Sequence, residues 1–277
     1  MLVKSIFLEG MTRLGLLALA VALAAPAMAA DPQQDELTEQ EYWELLQLRR
    51  ETQTGNEALA AIGCDQAAAE KVLGGLRSWH TQNKAQLTAA ETQVGAARKA
   101  LADARRRIRI GPRNEELLKA LPDKIKALKQ AAEARETLLD SARAVVKARM
   151  TETQQQAWEA RRANSGLPSK YQYAPSLTAE QRMALRELSA RSTRRMLQAN
   201  TSELASLRQE SDAAESRILT AAQTQAVAAA KQNLRQNRSA VARGAEAAIP
   251  MPEAIRKRIR EEQEAIERSA QMEGLRP

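Results

Sequence analysis

Apolar residues recur along this chain at alternating steps of three and four, the pattern of helices zipped along a narrow seam. Between Asp65 and Ile110 one line holds Leu73, His80, Leu87, Val94, Leu101 and Ile108. The adjoining line holds Leu76, Asn83, Ala90, Ala97 and Ala104. Asp65 is suited to cap this helix and Gly111-Pro112 to end it. Gly74, Gly75 and Gly95 weaken it locally at points suited to close packing. Arg113–Leu121 reads as a connector closed by Pro122. From Asp123 to Ser165 there is neither Gly nor Pro, and Ile125, Leu128, Ala132, Leu139, Ala142 and Val146 make a second stripe. Both stripes need burial and their lengths are similar, which predicts an antiparallel hairpin. A helix from Thr38 with Tyr42, Leu45, Leu46 and Leu48 precedes it, and Glu57–Ile62 gives at most a short turn of helix. Together these form an N-terminal helical hairpin over 37–163.

The stretch 164–176 reads as a linker, with Gly166, Pro168, Pro175 and three serines. Beyond it, no Gly or Pro occurs from Ser176 to Arg243. Met183, Ala190, Leu197, Leu204 and Ile218 repeat there at multiples of seven, with Leu207 and Ala214 alongside. A single helix of that length would run about 100 Å, so a fold-back is expected near Ser216–Thr220. This gives a second hairpin over 177–248. Pro250 and Pro252 introduce a charged tail helix over 253–272, whose thin apolar face is Ile255, Ile259 and Ile266. The expected fold class is all-α, with long antiparallel, coiled-coil-like hairpins.

The N-terminus changes the picture of where the chain works. Lys4 and Arg13 precede an apolar run from Leu14 to Ala25, then Pro26 and Ala27-Met28-Ala29. That is the three-part pattern of a cleavable secretory signal over 1–29. The run is shorter than the ~20 residues of a spanning helix. A periplasmic protein is expected. Cleavage leaves 40 basic and 33 acidic residues from the chain's 42 and 34, a net charge of +7. Anionic lipid, acidic polymers and unfolded chains suit that balance. Nucleic acid does not, since aromatic and basic residues are not interleaved.

Candidate chemistry is sparse. Cys64 and His80 are the one cysteine and the one histidine. Cys64 reads either as an inert buried thiol or as a bridge to Cys64 of a second copy. His80 lies on the large-residue line and reads as a seam residue. No Cys/His cluster, Gly-rich phosphate loop or nucleophile–base pair occurs, so neither metal, cofactor nor enzymatic activity is expected. Arg105, Arg106, Arg107, Arg109 and Arg113 make the densest basic cluster. It reads as a dipole-favoured helix end or as a patch for anionic lipid or an acidic partner.

One short pattern recurs at expected helix starts: Leu177-Thr178-Ala179-Glu180-Gln181 and Leu219-Thr220-Ala221-Ala222-Gln223. Weaker copies begin at Leu37, Leu87 and Met150. Threonine at the cap accepts from the third N–H, and the third side chain reaches back to the cap's own N–H. Inside the heptad run, the copy at Leu87 is no helix start. At Met150, within a run free of Gly and Pro, the question stays open.

The pair at 177 and 219 resembles the Spy/CpxP family of periplasmic proteins, which carry two LTxxQ motifs behind a signal peptide. The resemblance covers about 176–243. It implies an ATP-independent chaperone or envelope-stress protein: a helical dimer offering basic and apolar side chains to unfolded clients. Leu177, Thr178, Gln181, Leu219, Thr220 and Gln223 carry the motif, with an architectural role. The proline common inside it is Ala179 and Ala221 here. Two other readings stand beside this one: a coiled-coil spacer or adaptor for one envelope partner, and a metal-responsive sensor.

Overall fold

A computed structural model of the chain describes residues 37–110 and 115–274, with side chains to 269. The expected signal peptide, the leader 30–36, Gly111, Pro112 and Arg113 lie outside the described residues. Those described form an all-α bundle of nine α-helices and a short 3-10 turn (Ser169–Tyr171), with no strand among them. In order the α-helices are α1 (Glu39–Glu51), α2 (Asn56–Ala61), α3 (Gln66–Ile110), α4 (Glu115–Lys147), α5 (Glu152–Ala163), α6 (Ala179–Gln198), α7 (Leu204–Ile218), α8 (Ala221–Ala248) and α9 (Glu253–Gly274).

Asp65 caps α3, its carboxylate accepting from the Ala68 N–H at 2.8 Å. Leu73, His80, Leu87, Val94 and Leu101 on α3 are buried, as are Leu76, Ala90 and Ala104 on the adjoining line. α4 runs back along α3, because partner positions fall on one as they rise on the other. Arg149, just past α4, crosses Gly75. Ser141 accepts from the Trp79 indole at 3.0 Å, and Arg135 donates to Glu91 at 3.0 Å. α4 starts at Glu115 and runs through Pro122. The ring deprives the helix of one N–H donor, a loss tolerated where it is exposed to solvent. On α4 Leu139, Ala142 and Val146 are buried, whereas Ile125 and Ala132 face solvent.

The main core sits at the base of this pair. Leu45 and Leu48 of α1, Leu59 of α2, Trp158 of α5 and Val241 of α8 close around Val72, Leu73, Leu76 and Val146. The Trp158 indole donates to the buried Thr52 carbonyl at 3.2 Å, which pins α5 to the end of α1. Glu91 is the farthest α3 residue whose α4 partner also reaches α1: Arg135 bridges Glu91 and Glu51.

Two parts differ from the sequence reading. The stretch 164–176 is not a loose linker: Leu167, Tyr171 and Ala174 are buried in a second core with Leu177, Leu185 and Leu219. Asn164 ties it down, donating to the Ala174 carbonyl at 2.8 Å. Gly, Pro and Ser there signal that no α-helix runs through, only the 3-10 turn Ser169–Tyr171, which is a separate matter from burial. Nor does 177–248 fold as one hairpin. α6 turns back at 199–203 and packs on α7, while α8 leaves to lie against α2 and α3.

α8 reaches α3 through small residues. A Cβ on Gly244 would run into the Gln66 carbonyl and crowd Ala69. Gly95, by contrast, has open space around it. We therefore expect Gly244→Ala to destabilise by about 1–3 kcal/mol and Gly95→Ala to stabilise by about 0.5–1 kcal/mol. Urea unfolding of the two variants beside the parent checks both signs.

Candidate functional site

The repeated helix-start motif turns out to organise the molecule. Among the described residues, four threonines cap helices with full reciprocal boxes: Thr38, Thr151, Thr178 and Thr220. Thr88 lies inside α3, its carbonyl accepting from the Thr92 hydroxyl. The open question at Met150 is thus answered, since α4 ends at Lys147 and Thr151 starts α5.

Each third side chain has a second task. A carboxamide has an oxygen for the cap N–H and two N–H donors left over. Gln181 accepts from the Thr178 N–H at 3.0 Å and donates to the Ile218 carbonyl at 2.8 Å. Gln223 accepts from the Thr220 N–H at 3.0 Å and donates to the Pro175 carbonyl at 3.1 Å. The two amides also meet, with Gln181 Nε2 3.1 Å from Gln223 Oε1. Gln154 repeats the arrangement, donating to the Gly63 carbonyl at 3.3 Å. Gly63 turns there with φ +86. At Thr38 the third residue is Glu41, which has acceptors alone. Its spare oxygen takes Lys84 at 3.0 Å. The Thr38 and Lys84 bonds hold the Glu41 pKa down at about 2.

Leu177 and Leu219 sit together in the second core, on Leu185 and Tyr171. The Tyr171 hydroxyl donates to Glu215 at 3.0 Å, and Lys170 pairs with the same oxygen at 2.7 Å. The two motifs are thus one joint, where the start of α6, the end of α7, the start of α8 and the stretch 164–176 meet. Sequence reasoning found the caps and missed the joint. Its signal was glutamine at the third position, where glutamate would cap equally well and have no proton to give.

The heptad line on α6 lies elsewhere than expected. Leu185 is buried, while Met183 and Leu197 are 59% and 82% exposed. Ala190, Arg191 and Arg194 are exposed too. They make an outward stripe of apolar and cationic side chains. Between α2, α5 and α8 lies an alanine-lined recess of about 220 Å³, walled by Ala157, Ala160, Tyr173, Ala226, Ala229 and Asn233.

The remaining candidate residues are spread out. Arg105, Arg106, Arg107 and Arg109 are exposed near the far end of α3. His80 is buried with Nε2 3.2 Å from Glu44, and burial holds its pKa below the usual value against the pull of that carboxylate. Cys64 is wholly buried in the main core. A bridge between chains through Cys64 is therefore excluded in the folded protein, because the sulfur has no path to a second copy. Burial also pushes its thiol up to about 12. Among the described residues, no group of three or more His, Cys, Asp or Glu is placed to hold a metal ion, and no helix is long and apolar enough to cross a membrane.

No family model, curated protein or solved structure matches the chain.

Two outcomes are expected. Gln181→Ala and Gln223→Ala each cost about 1–2 kcal/mol. Together they cost measurably other than the sum, by about 0.5 kcal/mol or more, because they share one network. A double-mutant cycle in urea reads this. The Cys64 thiol stays unlabelled by an aromatic disulfide reagent at neutral pH on the minutes scale, then reacts at once in denaturant.

Proposed function

We propose that this is an exported, ATP-independent chaperone of the Spy/CpxP kind, working in the periplasm on unfolded or partly folded envelope proteins. The single observation that supports it is the outward stripe on α6. Met183, Ala190 and Leu197 stand one heptad apart in solvent, with Arg191 and Arg194 beside them. Large apolar side chains left in water in a regular line suit transient contact with apolar segments of other chains. The cations suit acidic flanks of the same clients. The paired motifs serve this role indirectly, since their joint fixes how α6 stands on the rest of the bundle.

In this reading the α3–α4 pair is a long coiled-coil-like hairpin, and two copies of the chain associate as a dimer. That pair also favours the second reading, a spacer or adaptor for one envelope partner. A pull-down with one stoichiometric partner would favour it, and many weak partners would favour the chaperone. For the metal-sensor reading no supporting cluster stands among the described residues.

The deciding measurement is light scattering from a heat- or reductant-denatured client without ATP. The mature chain is expected to suppress scattering near stoichiometric ratio. Met183→Ser with Leu197→Ser should raise the required ratio about thirtyfold or more, since each side chain contributes roughly 1–2 kcal/mol of apolar contact. No suppression by the parent at several-fold excess would sink the chaperone reading. Undiminished suppression by the double variant would move the client face off α6.

A further inference from the structure

Charge along the chain is strongly segregated. Residues 98–129 hold eleven Lys and Arg against four Asp and Glu. The rest of the chain, out of 42 and 34 in all, is left with 31 basic and 30 acidic residues. Nearly the whole net charge of +8 therefore falls within residues 98–129, most of it on the far ends of α3 and α4. Arg98, Arg105, Arg106, Arg107 and Arg109 are exposed there. The one ion pair within or out of this stretch, among the described residues, is Lys129–Glu133 at 3.8 Å. The dipole at a helix end accounts for cations in the last turn, such as Arg107 and Arg109. It does not account for the ten of them that stand on the two helices.

Apolar side chains accompany them. Ile110, Leu118 and Ile125 are 68%, 39% and 45% exposed. Leu118 and Ile125 lie one heptad apart on α4. Single-stranded nucleic acid would call for aromatic stacking, and no aromatic residue occurs between Trp79 and Trp158; a duplex calls for the cations alone. An acidic protein surface calls for the cations alone. Cations surrounding exposed apolar side chains are what an anionic bilayer takes up, the first at the head groups and the second at the acyl boundary.

We propose that the tip of the α3–α4 pair docks the protein on an anionic phospholipid surface. From Thr92 to Ile110 α3 extends roughly 28 Å at 1.5 Å per residue. The surface field decays over about 10 Å at 0.1 M salt. Cations at the tip are attracted, while the near-neutral remainder stands clear of the field. The docking is independent of what α6 binds.

The test is flotation of the chain from Ala30 onward, which keeps all described helices, with two kinds of vesicle. One is rich in phosphatidylglycerol and the other is pure phosphatidylcholine. Binding to the first, with little to the second, is expected, and salt raised from about 0.05 to about 0.5 M should abolish most of it. Each cation near such a surface contributes about fivefold. Arg105→Gln, Arg106→Gln and Arg107→Gln together should therefore weaken binding about a hundredfold. The matching triple change to Lys should keep it, because a field reads charge and not the guanidinium fork. Ile110→Ser should weaken binding to anionic vesicles at every salt concentration. All these positions are exposed, and an unchanged circular dichroism spectrum confirms folding. Equal binding to both vesicles would overturn the proposal, as would full binding by the Gln triple. Binding of poly-glutamate by the tip without vesicle binding would also overturn it, and would assign an acidic polypeptide instead.

Discussion

A side-chain amide accepts at one end and donates at the other, and this chain relies on that at three of the four threonine-capped helix starts among its described residues. At Thr151, Thr178 and Thr220 the third residue must close its own cap and also satisfy a carbonyl on another element. The second bond has a direction, so each cap fixes where its helix points as well as where it starts. Alanine, or a carboxylate, at Gln181 would leave the Ile218 carbonyl without this donor. Where such a carbonyl is shielded from water, the loss exceeds that of an exposed hydrogen bond. The joint at Gln181 and Gln223 holds four segments through two amides, and its members strengthen or fail together.

Directional bonds matter here because large side chains are few. Six aromatic residues follow position 29, and the long buried face of α8 is Ala230, Val241, Gly244, Ala245 and Ala248. Small residues let backbones approach closely but remove little apolar area from water, and transfer free energy scales with that area. A seam of alanines also slides more readily than one of interlocking leucines. The Asn233 amide donating to Ala61 at 3.3 Å and the Arg243 guanidinium on Gln66 at 3.2 Å therefore help set the register of α8.

This explains which parts of the fold were legible in the sequence. α3 was, through its cap, its extent to Ile110 and the burial of Leu73, His80, Leu87, Val94 and Leu101 on one line, where large residues at seven-residue spacing happen to be the face that other helices cover. α4 was legible only in part: it runs through Pro122, it ends at Lys147 inside the stretch free of Gly and Pro, and Ile125 and Ala132 of its expected stripe face solvent. α6 was misread: the Met183–Ala190–Leu197 line faces solvent, and Leu185 faces inward with Ser192 beside it. Both lines are periodic, and periodicity alone does not say which one a partner covers. The destination of α8 was illegible for the opposite reason, since an alanine-rich helix offers several equivalent faces. The candidate site divides the same way. Threonine caps follow from local spacing, whereas the Gln181–Gln223 contact joins residues 42 apart and has no local signature.

Outward along α3, burial thins. At the base Val72, Leu73, Leu76 and Trp79 are covered by helices on several sides. Beyond Glu91 the buried residues of α3 are Val94, Leu101 and Ala104, and on α4 none is buried before Leu139. A helix pair covered on one side alone is the first part of a bundle to open. Ten cations against four anions on the described residues there add self-repulsion at its weakest end. For the chain alone, that placement costs stability and gains nothing in packing. On an anionic surface the same charges lose their repulsion, and ordering of the tip and binding favour each other. The feature that is hardest to justify within the fold is thus the one that a counter-charged surface would explain.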